Sequence, residues 1–349
     1  MNIVYGVSGE GLGHIFEAIE MIEILRREGH TVKVFTFGDR ACCHLDAFHP
    51  TRIEGLSLHV NSQELSLVLS VVNNLRCIPF YLKNWRRLIN ELRAFEPDVF
   101  VTSYEPFTTI ASHWLHKPLI SMDNQNELLY IKKPREAPLL HFKLAQWLTR
   151  IFTYRASYYL VKSQTKIDTG KDNVYFVSPY IQNEIRSLSP TTGEHVLVYL
   201  TKPNRNLIKL LKLIPERFIV YCNNQTGNDA NITYRASGPS YLPDLNGCKA
   251  IIGTTGFSLI NDAIYLRKPY FGVPIRKQFE QVHNAYFLRE SGIGEFSLNV
   301  TKDQLEHFLS NLTVYQNRFL GFQIKSDEQK ETLHKILEDI EALQSSSKK

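Results

Sequence analysis

Apolar and polar positions alternate between two periods along the chain. Asn2–Val7 is a short apolar run, read as a strand, and a Gly-rich stretch follows it. Ile15, Ala18, Ile19, Ile22 and Leu25 then recur at helical spacing up to Gly29, and Thr31–Phe37 reads as a second strand. A strand, a helix and a strand in this order predict parallel pairing with a right-handed crossover. The pattern continues. Residues 62–95 read as a long amphipathic helix broken near Pro79. Val99–Thr102 and Pro118–Met122 read as strands around a helix over 106–115. Residues 138–155 read as a helix, and Tyr158–Val161 and Val174–Val177 as strands. The periodicity lapses over 178–194, where turn residues predict a link between domains. It restarts with strands at Val196–Leu200, Phe218–Tyr221, Ala250–Ile252 and Tyr270–Val273 and helices at about 204–213, 256–265 and 280–290. From Lys302 onward the chain reads as helices. The division expected is an N-terminal domain over 1–180, a linker over 181–194, and a C-terminal domain over 195–349 that includes the last helix. Two open α/β sheets should bind ligand at the carboxyl ends of their strands, in the cleft between them.

Composition fits this picture. At about 150 residues per domain, a length of 349 predicts two domains. A hydrophobic share of 43% with 21% charged residues excludes a disordered or collagen-like chain. The 5 Cys form no CxxC pair and no zinc-ligand spacing, which argues for reduced thiols in a cytoplasmic protein. A formal charge of +5 is spread thinly and no nucleic-acid module is present, so nucleic acid is not an expected partner. The N-terminus shows no signal-peptide pattern.

Two stretches carry candidate chemistry. After the first strand come Gly6, Gly9, Gly11 and Gly13, and His14 opens the helix. Glycines let the backbone approach a ligand, and a helix N-terminus favours negative charge. The spacing is neither a dinucleotide fingerprint nor a Walker A loop. A neutral His14 at a strand-to-helix junction suits a general base, although it also suits a simple surface role. The second stretch is Gly253-Thr254-Thr255-Gly256, again turning a strand into a helix and suited to a pyrophosphate. Asp262 follows as a candidate for a ribose diol, and Glu280 and Gln281 as candidates for sugar hydroxyls. Each has a plainer reading as a solvated or first-turn helix residue. No Asp-x-Asp pair occurs, and no metal is expected.

The run Gly256-Phe257-Ser258-Leu259-Ile260-Asn261-Asp262-Ala263 is followed by Lys268-Pro269, Val273-Pro274, Gln278-Phe279-Glu280-Gln281, Asn284-Ala285 and Gly292-Ile293-Gly294. Together with Gly9-Glu10-Gly11-Leu12-Gly13-His14, Glu105-Pro106, and Pro118 through Met122 to Asp123-Asn124-Gln125, it resembles the inverting glycosyltransferases of the GT-B fold. Within them it is similar to the group related to the peptidoglycan N-acetylglucosaminyltransferase. The resemblance implies two Rossmann-like α/β domains facing across a cleft. It implies transfer of a sugar from a nucleotide diphosphate donor, a uridine one in that group, to a hydroxyl of a glycan or lipid-linked acceptor. Gly256, Phe257 and Ser258 would line the donor diphosphate, with the loop holding Gly11 and Gly13 approaching from the other domain. Asp262 would stand where the family usually has Glu on the ribose, Glu280 and Gln281 at the donor sugar, and His14 at the base. The nucleobase would meet the backbone near 236–241. Relatives often carry an Asp that orients the His; Ser103 stands there, and Glu105, two residues on along an extended strand, is the expected substitute.

Three further expectations remain open. A nucleotide-sugar hydrolase or 2-epimerase shares this fold and donor site. A non-catalytic donor-binding subunit is compatible with Ser103. Apolar residues over 65–81 with Arg76, Lys83, Trp85, Arg86 and Arg87, and Lys132, Lys133 and Arg135 beyond, make an anionic membrane surface at the inner face a candidate partner; a core-facing amphipathic helix gives the same pattern.

Overall fold

The computed structural model describes residues 1–9, 11–55, 60–61, 64–65, 75–133, 138–276 and 278–346. The N-terminal strands are β1 (Asn2–Val7), β2 (Thr31–Thr36), β3 (Thr51–Arg52), a small antiparallel pair β4 (Val60–Asn61) and β5 (Glu64–Leu65), then β6 (Val99–Ser103), β7 (Leu119–Asp123), β8 (Tyr158–Lys162) and β9 (Val174–Val177). Apart from the β4–β5 pair they form one seven-stranded parallel sheet in the order β3-β2-β1-β6-β7-β8-β9. Strand order reverses between β1 and β6, so their carboxyl ends, Val7 and Ser103, open onto a crevice. Helices α1 (Leu12–Arg27), α2 (Asp39–His44), α3 (Cys77–Phe95), α4 (Pro106–Trp114) and α5 (Leu139–Phe152) surround the sheet.

After the short α6 (Asn183–Arg186), the second half contains β10 (Val196–Tyr199), α7 (Arg205–Leu211), β11 (Phe218–Tyr221), β12 (Gly227–Asp229), β13 (Ile232–Tyr234), α8 (Tyr241–Gly247), β14 (Ala250–Gly253), α9 (Phe257–Tyr265), β15 (Tyr270–Gly272), α10 (Phe279–Glu290) and β16 (Gly294–Phe296). Helices α11 (Lys302–Ser310), α12 (Leu312–Gln316) and α13 (Glu328–Ser346) close the chain. The second sheet runs β12-β13-β11-β10-β14-β15-β16, parallel except for β12. It reverses at β10 and β14, which puts Gly253 and the second Gly-rich turn at its own crevice. Strands such as VFVTS and AIIG are buried along their whole length, as parallel strands covered on both faces must be. The expected pair of Rossmann-like α/β domains is therefore present. A small cluster of Leu128 and Phe142 with Phe279, Val282 and Tyr286 packs one half against the other.

Three expectations need correction. Residues 62–95 are not one helix. Glu64–Leu65 pairs with Val60–Asn61, and α3 starts at Cys77; residues 66–74 lie outside the described residues. Pro79 sits in the first turn of α3, where a missing N–H costs nothing. The last helix does not belong to the second domain. Leu333, Ile336, Leu337 and Ile340, at helical spacing on α13, join the first domain's core beside Ile3, Val99 and Leu160. Gln329 Nε2 donates to Ser178 O at 3.0 Å and Gln344 Nε2 to Asp98 O at 3.0 Å. Burial of each aliphatic side chain contributes about 1.5–3 kcal/mol, which is why the chain crosses back. The stretch read as a linker is also packed, since Ile181 and Ile185 lie in the second domain's core.

Candidate active site

The two Gly-rich turns meet. Helix α1 begins after Gly11, whose φ of 90° is a conformation side chains resist, and α9 begins after Gly256. Among the described residues, neither helix start is capped by a side chain. A β-carbon built on Gly13 would lie 2.2 Å from Ser258 Oγ, so the first turn of α1 lies against the first turn of α9. Two positive helix ends with unpaired N–H groups thus converge on one place. On the second-domain side the turn is fixed by Thr255, whose Oγ1 donates to Gln281 O at 2.7 Å and whose carbonyl accepts from Asn284 Nδ2 at 3.0 Å.

His14 is half-buried in the first turn of α1. Its Nδ1 lies 2.9 Å from Ser103 Oγ, at the end of β6, and its Nε2 lies 3.3 Å from Gln125 Nε2. An amide NH2 can only donate, so Nε2 is the bare nitrogen and Nδ1–H donates to Ser103. Burial, and then the nearby Lys162 charge, push the imidazole down to about 3. Lys162, at the end of β8, is 2% exposed and paired with the 5%-exposed Glu17 at 2.6 Å. His14 is therefore neutral across the physiological range, with its basic lone pair in the cleft.

Ser103 holds the orienting place that the sequence assigned to it, but Glu105 does not support it. Tyr104 adopts φ 55°, which breaks the alternation of an extended strand. Glu105 is turned instead onto α4, where its carboxylate accepts from Phe107 N and Thr108 N, each at 2.7 Å, and from Thr108 Oγ1. It is fully buried, and burial pushes it up to about 7. The residue reads as the N-cap of α4.

The cleft-facing residues after β7 carried no assigned role in the sequence. Asp123 accepts from Ser121 Oγ at 2.9 Å, Asn126 N at 2.7 Å and Asn126 Nδ2 at 3.1 Å. Burial pushes its carboxyl up to about 6. This tight turn points Asn124 and Gln125 across the cleft. Asn124 Nδ2 donates to Glu280 Oε1 at 3.0 Å and Gln125 Nε2 to Glu280 Oε2 at 3.2 Å. Glu280, in the first turn of α10, is thereby joined through one amide to His14. Gln281 Oε1 accepts from Ile275 N at 2.9 Å, so its oxygen is committed to the loop after β15. Asp262 lies further along α9, 8% exposed, and burial pushes its carboxyl up to about 8. Burial, and then the nearby Asp262 carboxyl, push up the hydroxyl of Tyr241, the first residue of α8. Among the described residues no group of three or more His, Cys, Asp or Glu side chains is placed to hold a metal ion.

Residues 1–313 match the family described as Glycosyl transferase family 1. The chain belongs to that family. A protein described as an uncharacterized glycosyltransferase from Methanosarcina mazei is 22% identical over 340 residues, covering 84% of this chain and 85% of that protein. Among solved structures, the spinosyn forosaminyltransferase SpnP superposes with a TM-score of 0.64 at 14% identity, covering 96% of this chain and 99% of that one. The spinosyn rhamnosyltransferase SpnG in complex with thymidine diphosphate gives 0.61 at 13%, covering 97% and 100%. MurG of Acinetobacter baumannii gives 0.62 at 13%, covering 97% and 99%. The GT-B fold expected from the sequence is shared with all three.

Proposed function

We propose that the protein is a metal-independent inverting glycosyltransferase. It moves a sugar from a nucleoside diphosphate donor, a UDP-sugar by the sequence resemblance, to a hydroxyl of a glycan or lipid-linked acceptor. The observation that carries this reading is the convergence of the α1 and α9 N-termini at Gly13 and Ser258, beside the bare Nε2 of His14. The donor diphosphate lies on the two helix ends, with Gly11, Gly256 and Phe257 at its edges, and Asp262 accepts from the ribose. Glu280 and the Gln281 amide hold the sugar. His14 Nε2 removes the acceptor hydroxyl proton, the oxygen bonds to the anomeric carbon, and the bond from that carbon to the phosphate oxygen breaks. The nucleoside diphosphate leaves with its electron pair, stabilised by the N–H groups of the two helices. Attack from the face opposite the nucleotide inverts the anomeric centre. SpnG has been seen with thymidine diphosphate and with spinosyn aglycone, the two kinds of ligand that the reading needs. A thermal-shift panel of nucleoside diphosphates and their sugars is expected to show selective stabilisation by one series. Product NMR is expected to show an inverted anomer. Absence of stabilisation by any member overturns the donor site, and a retained anomer overturns the mechanism.

An anionic membrane as the acceptor's carrier is supported by the outer face of the first domain. Leu82 (80% exposed) on α3, Ile110 and Trp114 on α4, and Leu140 (74%) and Trp147 on α5 are exposed. Trp85 and Trp114 touch at 5.5 Å and Thr109 Oγ1 donates to Phe152 O at 2.6 Å, so the three helices lie side by side. Lys83, Arg86, Arg87, Lys143 and Arg150 accompany them. Apolar side chains with flanking cations suit an interfacial surface. Among the described residues no helix is long and apolar enough to cross a membrane. Flotation with phosphatidylglycerol-containing vesicles is expected to carry the protein, and the double substitution Leu140→Ser, Trp147→Ser to weaken that about tenfold or more. Flotation of neither protein removes the membrane from the proposal.

A further inference from the structure

A single NH2 group stands between the base and the sugar carboxylate. Gln125 Nε2 is 3.3 Å from His14 Nε2 and 3.2 Å from Glu280 Oε2. A hydroxyl about to be deprotonated by His14 and joined to a sugar held by Glu280 needs this same position. Gln125 is 8% exposed, so little bulk water reaches the amide itself. The amide has only one workable orientation. Turned over, its oxygen would face the Glu280 carboxylate, which repels it. As it stands, its Oε1 is buried and lacks a hydrogen-bond partner among the described residues. An orphaned buried acceptor is a standing cost that a hydroxyl donor would relieve. Glu280 need not release its amides when a sugar binds, because each carboxylate oxygen accepts more than one hydrogen bond.

We propose that the Gln125 amide stands in the acceptor-hydroxyl position and so withholds His14 from water until an acceptor displaces it. This rests on the glycosyltransferase reading above and names the residue that separates transfer from hydrolysis. The two reactions are alike in their balance. In each, an O–H proton goes to His14 Nε2, oxygen bonds to the anomeric carbon, and the carbon–phosphate oxygen bond breaks to release the nucleoside diphosphate. Only the attacking oxygen differs. A water molecule is smaller than an acceptor and makes fewer contacts to drive the amide aside, whereas an acceptor held along the cleft brings its own binding energy to that step. Gln125 is thus a positioning residue for the acceptor and a specificity residue against water. When the acceptor arrives and the amide moves aside, the unpartnered Oε1 is the natural acceptor for a second hydroxyl of that molecule.

The test compares wild type, Gln125→Ala and Gln125→Asn, the last withdrawing the NH2 by one methylene while staying polar. Free sugar and nucleoside diphosphate are measured with donor alone, and glycosylated product with donor and acceptor. The ratio of hydrolysis to transfer is expected to rise about tenfold or more in both variants. The His14 ring, followed by NMR, is expected to titrate at higher pH once the donor to Nε2 is gone. General damage to the fold lowers both reactions and cannot raise hydrolysis. Hydrolysis that is unchanged, or that falls with transfer in both variants, overturns the proposal. The donor-induced thermal shift of the wild type keeps the two readings apart: if no nucleotide sugar stabilises it, the donor site itself fails. An unmoved His14 titration in both variants then overturns the Gln125 contact as well.

Discussion

Replacement of His14 by Gln is expected to lower kcat by about 10²–10⁴-fold, the usual worth of a positioned general base, while the donor still binds. Gln keeps a polar side chain in the first turn of α1 but cannot accept the acceptor proton. Single-turnover assays at saturating donor check this, and a variant that keeps its rate shows that another group is the base. The pH profile adds a second test. The imidazole is held down to about 3, so His14 stays neutral as pH falls through 7, 6 and 5. Its contribution to kcat is lost only as pH approaches that value, because a base fails when it becomes protonated. The same depression makes it a weak base at neutral pH, since efficiency is greatest when the pKa lies near the working pH. Ser103 is central to this. Its hydroxyl orients the ring at 2.9 Å but brings no charge to stabilise the imidazolium. The substitution Ser103→Asp is therefore expected to raise the His14 pKa, speed the proton-transfer step, and bring an acidic limb into the measurable range.

The alternation of apolar runs with helical spacing makes the inner strands of both sheets legible and gives β9 to the residue at Val174–Val177, whereas the short edge-side strands β3, β12, β13 and β16 carry no such run. That signal is local, since a strand buried on both faces declares itself within a few residues. Gly13 and Gly256, and His14 beside the first, stand out for a related reason, because a glycine between a strand and a helix marks a place of close backbone approach; Ser258 is drawn in only by the resemblance, and its closeness to Gly13 is not in the sequence. Non-local facts were not readable. The apolar face of α13 says that the helix packs, not on which domain. Glu105 failed as a partner for His14 because one left-handed residue, Tyr104, cancelled a rule that holds for continuous strands. Asn124 and Gln125 stood in the sequence beside Asp123. Nothing within it says that the Asp123 carboxylate folds the turn so that both amides cross to a glutamate about 155 positions away. The Glu17–Lys162 pair is similar. A lysine ending an apolar strand reads as a solvated edge until the burial of its partner is known.

Asp262 gives the clearest conflict between stability and function. The substitution Asp262→Asn is expected to make the ligand-free protein more stable and its donor binding about 10–100-fold weaker. Burial raises this carboxyl from 3.8 to about 8, so the folded protein holds the proton more tightly than the unfolded chain. Stability from this group is full below about pH 4, falls as pH rises, and is wholly lost by about pH 8. Asn does not titrate. The two proteins should therefore melt together near pH 4, with the variant melting several degrees higher near pH 8. Donor binding runs the other way. A ribose diol donates to the carboxylate and favours its ionised form, so wild-type affinity is expected to rise with pH up to about 8 and the variant's to stay flat. Calorimetric titration with the donor found in the thermal-shift panel measures this. Equal affinities in the two proteins would remove Asp262 from the donor site. Asp262→Glu completes the comparison, because the resemblance puts Glu at this place. A carboxylate one carbon longer is expected to keep the pH-dependent binding that Asn loses, whereas a residue that merely packs against Tyr241 and Tyr270 would tolerate Asn better than Glu.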